Sequence, residues 1–276
     1  MKATTQHPAL VVFVIDASHS TGTTWVADEQ SGIEETVATT LENSVNRALH
    51  DLVVNVCYHD GEVKDRVCLS VLKVQGSEPV WGLDGGVPDQ GWLNASEWSV
   101  MAPQPEAGNS PQWVSLSPSG KTPWQQGWNR AFDSIEGYLK EHPQSSVLLV
   151  SLTDGSFSEL KLSDDDVEEM IQRQSSISSQ TTLVHLIGHI SATGSEPMAF
   201  PTQRPQDVEQ AFLFDFASPL PTHLFEHQQP TLGGVDIHPT SKAYVHNADH
   251  GMLSGLIQLG SRFIDGSIRN APGEEE

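Results

Sequence analysis

Residues 10–15 read LVVFVI, an unbroken apolar run that ends on Asp16. A run of this length, stopped by a carboxylate, fits a β-strand buried on both faces. Such strands belong to mostly parallel sheets covered by helices on either side. Residues 147–152 repeat the pattern and end on Thr153, Asp154 and Gly155. In sheets of this kind ligands bind outside the carboxyl ends of the strands, where the strand order reverses. Two aspartates at two such ends therefore weigh more than either alone.

The rest of the chain alternates helical and extended patterns. SGIE at residues 31–34 has the spacing of a capping box, and Ile33, Val37, Leu41, Val45, Leu49 and Leu52 recur at helical intervals behind it. Residues 53–58 and 67–74 read as two strands, with Asp60-Gly61 as the turn signal between them. Thr122, Pro123 and Gln125 combine a cap residue, a proline at the helix start and the reciprocal glutamine, predicting a helix to about residue 140. Further helices are expected from 163, in pieces between 205 and 227, and over 250–264. Strands are expected over 182–190 and, at the sheet margin, over 242–245.

The expected fold is α/β, a Rossmann-like doubly wound, mostly parallel sheet with one antiparallel edge strand. One domain is expected over residues 1–267, followed by an acidic flexible tail at 268–276. Residues 75–120 interrupt the alternation with Gly, Pro, Ser and the tryptophans Trp81, Trp92, Trp98 and Trp113. They read as an ordered excursion pinned by its aromatic residues.

Charge narrows the function. Thirty-six Asp and Glu oppose fourteen Lys and Arg, a formal charge of −22 in 276 residues. Nucleic acids and anionic lipids bind proteins through neutralised phosphates, so neither is an expected partner. No stretch approaches the roughly 20 apolar residues of a membrane span. The N-terminus lacks the pattern of an export signal, and Cys57 and Cys68 are too few for a disulfide scaffold. A cytoplasmic protein with free thiols is the expectation.

Asp16, Ser18 and Ser20 form D-x-S-x-S on the turn leaving the first strand. Alternate positions of an extended turn direct their side chains the same way. With Asp154 they make an all-oxygen set, suited to Mg²⁺ or Mn²⁺ and unsuited to zinc. No Lys or Arg adjoins either aspartate in sequence, which favours a cation as the charge partner.

DASHS at 16–20, Thr122 in GKTPWQQG, and Thr153-Asp154-Gly155 together resemble the metal-ion-dependent adhesion site of von Willebrand factor type A domains. The resemblance extends from about residue 8 to residue 265. It implies that Asp16, Ser18, Ser20, Thr122 and Asp154 hold one divalent cation, directly or through water. It implies a non-enzymatic protein-binding module in which a partner's Asp or Glu completes the metal shell. Small intracellular prokaryotic members, including those similar to the tellurite-resistance type, work beside AAA+ ATPases, protein kinases or phosphatases in signalling, stress or defence. His19 stands where the family often has glycine.

Other motifs point elsewhere. SGKT at 119–122 lacks the first glycine of a phosphate-binding loop and has no apolar strand leading into it. His223, Glu226 and His227 match H-x-x-E-H, the zinc motif of inverted zinc peptidases, but no clear third ligand accompanies them. A metal-dependent hydrolase or phosphatase using Asp16 or the His223/His227 pair is the rival reading. An aspartate enzyme of the haloacid dehalogenase type would carry a second Asp where Ser18 stands.

Overall fold

A computed structural model describes residues 3–28, 33–84, 91–102, 111–154, 164–190, 196–221, 231–232, 235–248 and 250–265. In chain order its elements are β1 (Ala9–Asp16), β2 (Thr24–Asp28), β3 (Ile33–Thr36), α1 (Val37–Leu52), β4 (Tyr58–His59), β5 (Glu62–Val63), β6 (Val67–Val74), β7 (Val80–Trp81) and β8 (Leu93–Asn94). There follow α2 (Ala95–Trp98), α3 (Trp124–Glu141), β9 (Val147–Thr153), α4 (Asp164–Gln180), β10 (Leu183–His189), β11 (Met198–Ala199) and α5 (Val208–Phe216). The last are β12 (Thr231–Leu232), β13 (Val235–Asp236), β14 (Tyr244–His246) and α6 (His250–Asp265).

The main sheet has the order β11-β14-β10-β9-β1-β6-β7, with β8 also paired to β6. Its interior pairings are parallel. Antiparallel strands close both edges, β7 and β8 on one and β11 on the other. Alternation along β1 decides the two layers. Val11, Phe13 and Ile15 face a core shared with α1 and α6, whereas Leu10, Val12 and Val14 face one shared with α3, α4 and α5. This is the doubly wound, Rossmann-like arrangement, and every residue of β1 is buried because helices cover both faces.

Three local expectations differ from the structure. The helix expected behind SGIE starts later. Residues 33–36 pair with β2, and α1 begins at Val37 behind Thr36, whose hydroxyl accepts the Thr39 N–H at 3.1 Å. Trp25 on β2 donates to the Thr40 hydroxyl at 3.0 Å and anchors that hairpin on α1. Residues 53–58 do not form a sheet strand, since residues 53–57 continue α1 as a π-helical turn. No Gly or Pro stops the helix there, and burial of Leu49, Leu52 and Val56 at helical spacing outweighs the β preference of valine. Asp60-Gly61 does make the turn, with φ of 53° and 84°, but it joins the short β4 and β5. Finally, β14 is interior, because β11 pairs beyond it.

The excursion's described parts are tied down by aromatic residues. Trp98 and Trp113 meet edge to face at 5.9 Å, and the Trp113 indole donates to the Trp98 carbonyl at 2.9 Å. Trp92 meets Tyr138 of α3 at 5.3 Å. The expected tail at 268–276 lies outside the described residues. Among the described residues no helix is long and apolar enough to cross a membrane. Cys57 and Cys68 are free and buried, and burial raises their thiols to about 12 and about 11.

A polar chain crosses the second core. The Trp128 indole donates to Ser151 Oγ at 3.0 Å, Ser151 meets His185 Nε2 at 2.8 Å, and His185 Nδ1 meets Gln174 Oε1 at 2.8 Å. Gln174 Oε1 can only accept, so Nδ1 carries the imidazole proton and Ser151 donates to Nε2. Burial pushes His185 down to about 3. Its folded-state value lies below the unfolded one, so it contributes stability above about pH 6.5 that is lost as pH falls toward 3. In urea unfolding across pH 7 to 4, His185→Gln should lower stability at pH 7 and make its pH slope shallower by about one proton.

Candidate functional site

The carboxyl ends of β1, β6 and β9 meet at one point on the sheet rim. Parallel pairing sets Asp16 level with Val74 of β6, and Ile15 level with Leu152 of β9. Asp154 follows β9 and therefore arrives beside Asp16. Its backbone N–H points to Asp16 Oδ2 at 3.5 Å, and the Thr153 hydroxyl points to the same oxygen at 3.4 Å. Ser18 N–H donates to Asp16 Oδ1 at 2.9 Å, turning the chain back over the carboxylate. The Ser18 and Ser20 hydroxyls lie 2.9 Å apart, brought together by a 3-10 turn over residues 19–22 and not by the extended turn the sequence suggested.

Thr122 reaches the same region through backbone contacts. Ala17 donates to the Val74 carbonyl at 3.0 Å, Ser119 donates to the Ala17 carbonyl at 2.9 Å, and His19 donates to the Gly120 carbonyl at 3.1 Å. Gly120 makes the approach possible. Its φ is +67°, and a Cβ there would lie 2.6 Å from the Gly76 Cα. That is the structural role of the glycine in SGKT. Thr122 itself is buried, and its side chain does not cap α3 as the sequence suggested. Pro123 occupies the cap position, and the Thr122 carbonyl accepts the Trp124 N–H at 2.9 Å.

Electrostatics sets Asp16 apart. It is fully buried, and among the described residues no Lys, Arg or His forms an ion pair with it. Burial raises its pKa first, the Asp154 charge raises it further, and the Ser18 amide and hydroxyl pull it back only in part. A desolvated carboxyl with a second carboxylate at its side needs a proton or a positive charge. Among the described residues no three His, Cys, Asp or Glu side chains group as a metal centre. The donors here are instead two carboxylates and hydroxyls, which fit a hard divalent cation.

Sequence spacing does not pair His189 with His246. His189, at the end of β10, and His246, on β14, stack with ring centroids 4.3 Å apart and planes 2° apart. Burial, and then the His246 neighbour, lower His189 to about 3, so it stays neutral beside Asp154. Gly76, the crossing partner of Gly120, follows β6 by two residues, where a glycine is a readable turn signal. His223, Glu226 and His227 lie outside the described residues.

No protein-family model matches the chain, and no curated protein sequence matches it. Its fold is similar to PilB minor pilin from Streptococcus sanguinis, with TM-score 0.53 and 12% identity over 98% of this chain and 64% of the pilin. The chain thus spans less than two thirds of the pilin's length, and at this identity the likeness concerns the fold alone. Weaker similarities, both at TM-score 0.34, connect it to two other proteins. One is proximal thread matrix protein 1 from the mussel byssus, solved with a zinc-occupied MIDAS motif, at 15% identity over 67% of this chain and 37% of that one. The other is the human COPII-coat protein Sec24c, at 9% identity over 78% and 29%. Neither carries an argument about this chain.

The raised Asp16 value has a measurable sign. A carboxyl whose folded pKa exceeds its unfolded one costs stability as pH rises from about 4 through the folded value. In metal-free buffer Asp16→Asn should therefore be more stable than the parent at pH 9, with the gap closing toward pH 4. Thermal unfolding in chelator-treated buffers measures this.

Proposed function

We propose that this chain is a non-enzymatic protein-interaction module of the von Willebrand factor A type, binding a partner carboxylate through one divalent cation. Asp16, Ser18, Ser20, Thr122 and Asp154 would hold Mg²⁺ or Mn²⁺, directly or through water. The observation that carries this reading is the buried Asp16 carboxylate, which lies beside Asp154 and, among the described residues, forms no ion pair. When bound, the cation supplies an electrophile for an incoming Asp or Glu.

The chain's own residues do the rest. β1 fixes the Asp16 carboxylate at the rim, the Ser18 amide orients it, and the turn at residues 19–22 presents the two serine hydroxyls beside it. Exposed Asp165, Glu168 and Glu169 lie on the first turns of α4. Gln125 of α3 holds the start of that helix through Asp166 at 2.8 Å. An acidic surface of this kind favours a partner with basic residues around its coordinating carboxylate. Signalling, stress or defence assemblies containing an AAA+ ATPase, kinase or phosphatase, within the cytoplasm, are the context the family resemblance supplies.

A non-enzymatic role is favoured by what surrounds the reactive groups. Ser18 stands where an aspartate-based phosphoryl-transfer enzyme needs a second acid. Ser151 and His185, the one described serine–imidazole pair with a third orienting group, are both 0% exposed, with the Phe216 ring 4.7 Å from the imidazole.

Mg²⁺ at about 100 times its Kd should stabilise the protein by about 2.7 kcal/mol, and Asp16→Ala should abolish that gain. Affinity capture in Mg²⁺ should recover a partner that chelator or Asp16→Ala releases. Phosphoester or peptide hydrolysis lost on Asp16→Ala or His223→Ala would instead establish the enzyme reading.

A further inference from the structure

Asn46 sits inside α1 at 6% exposure, among residues otherwise chosen for an apolar face. Asparagine is an ordinary helix former at best, and a buried amide costs stability unless it is fully paired. Here it is. Oδ1 accepts the backbone N–H groups of Trp113 at 2.7 Å and Val114 at 3.0 Å. Nδ2 donates to the Val114 carbonyl at 2.8 Å and to the Glu42 carbonyl at 3.0 Å. Both lone pairs and both hydrogens are used, three of the four on a segment 67 or 68 residues away in sequence.

Glu42, one turn earlier on α1, grips the same segment. Its carboxylate accepts the Leu116 N–H at 2.7 Å and the Gln112 side-chain amide at 2.8 Å. Lys73 of β6 adds a bond to the Ser115 carbonyl at 3.3 Å. The chain leaves this grip and passes directly to Ser119, Gly120 and Thr122. There its own bonds to Ala17 and His19 seat it against the D-x-S-x-S turn. Nothing in the folding of α1 itself requires Asn46, since an apolar residue would pack on the same face.

We propose that Asn46, assisted by Glu42, is a positioning residue for divalent-cation binding: it fixes the 112–122 segment, which carries Thr122, against the D-x-S-x-S turn. Asn46 is not a ligand, because its hydrogen-bonding capacity is spent on the segment. The inference rests on the metal-binding reading above. Losing a residue that orients a ligand commonly costs about 10- to 100-fold in metal affinity.

The test is Mg²⁺ calorimetry on the full chain at a temperature where every variant is folded, with hydrogen exchange read in metal-free buffer. Thr122→Ala and Asn46→Ala should each weaken Mg²⁺ binding by about tenfold. The double variant should bind no worse than Thr122→Ala alone, within about twofold, because both act through one ligand. Val45→Ala, a core truncation on the neighbouring position of α1, should lower the melting temperature yet keep Mg²⁺ affinity. The Ser119 and His19 amides should exchange faster in Asn46→Ala and not in Val45→Ala. Should Asn46→Ala fail to fold, Asn46→Asp, which keeps the acceptor for Trp113 and Val114, should fall between it and the parent in affinity.

Wild-type affinity in Asn46→Ala together with a lowered melting temperature, or losses that multiply in the double variant, would overturn the inference. A parent protein that binds no Mg²⁺, or binds it unchanged after Asp16→Ala, would remove the metal-binding reading itself. That outcome is distinct from a parent that binds while Asn46→Ala is unaffected.

Discussion

Parallel pairing of β1 between β6 and β9 is the constraint on which everything at the rim depends. Backbone hydrogen bonds on both sides of one strand hold three carboxyl ends in step. Asp16, Asp154 and the exit of β6 thereby become neighbours though far apart in sequence. The strand can enforce this only because it is apolar throughout and sealed by helices on both faces. The same burial that anchors Asp16 strips it of water. The stability of the core and the electrostatic demand of the site thus have one origin.

That demand distinguishes Asp16 from the chain's many other acids. A solvated carboxylate in a protein of charge −22 is ordinary, and most ion pairs here are of that kind, formed by surface residues and worth little each. Asp16 has no access to water and an anionic neighbour, so its comfort depends on a proton or a cation. His189 and His246 do not relieve it, because burial keeps His189 uncharged. Among the described residues the rim therefore combines the neutral His189 imidazole, hydroxyls and two carboxylates.

Much of this was legible in the residues themselves. Apolar runs closed by aspartate located β1 and β9, helical spacing located most of α1, and D-x-S-x-S placed three oxygens on one turn. Signals failed where tertiary burial outvoted local preference, as when valines 53, 54 and 56 continued a helix instead of starting a strand. They failed again where two-residue strands such as β11 are too short to leave a period. Asn46 shows a third reason: its partners lie 67 and 68 residues away, and spacing along one helix carries no trace of them. The cap pattern at Thr122 located the start of α3 to within two residues, yet the Thr122 hydroxyl does not cap it.

The contact between Gly76 and Gly120 has an evolutionary corollary. A Cβ on Gly120 would lie 2.6 Å from the Gly76 Cα and force two passing backbones apart, whereas Gly76 is held to glycine by its φ of +69° alone. One crossing thus holds two glycines for two different reasons, one steric and one conformational. Descendants can vary the exposed residues strung between those glycines while the joint beneath stays the same.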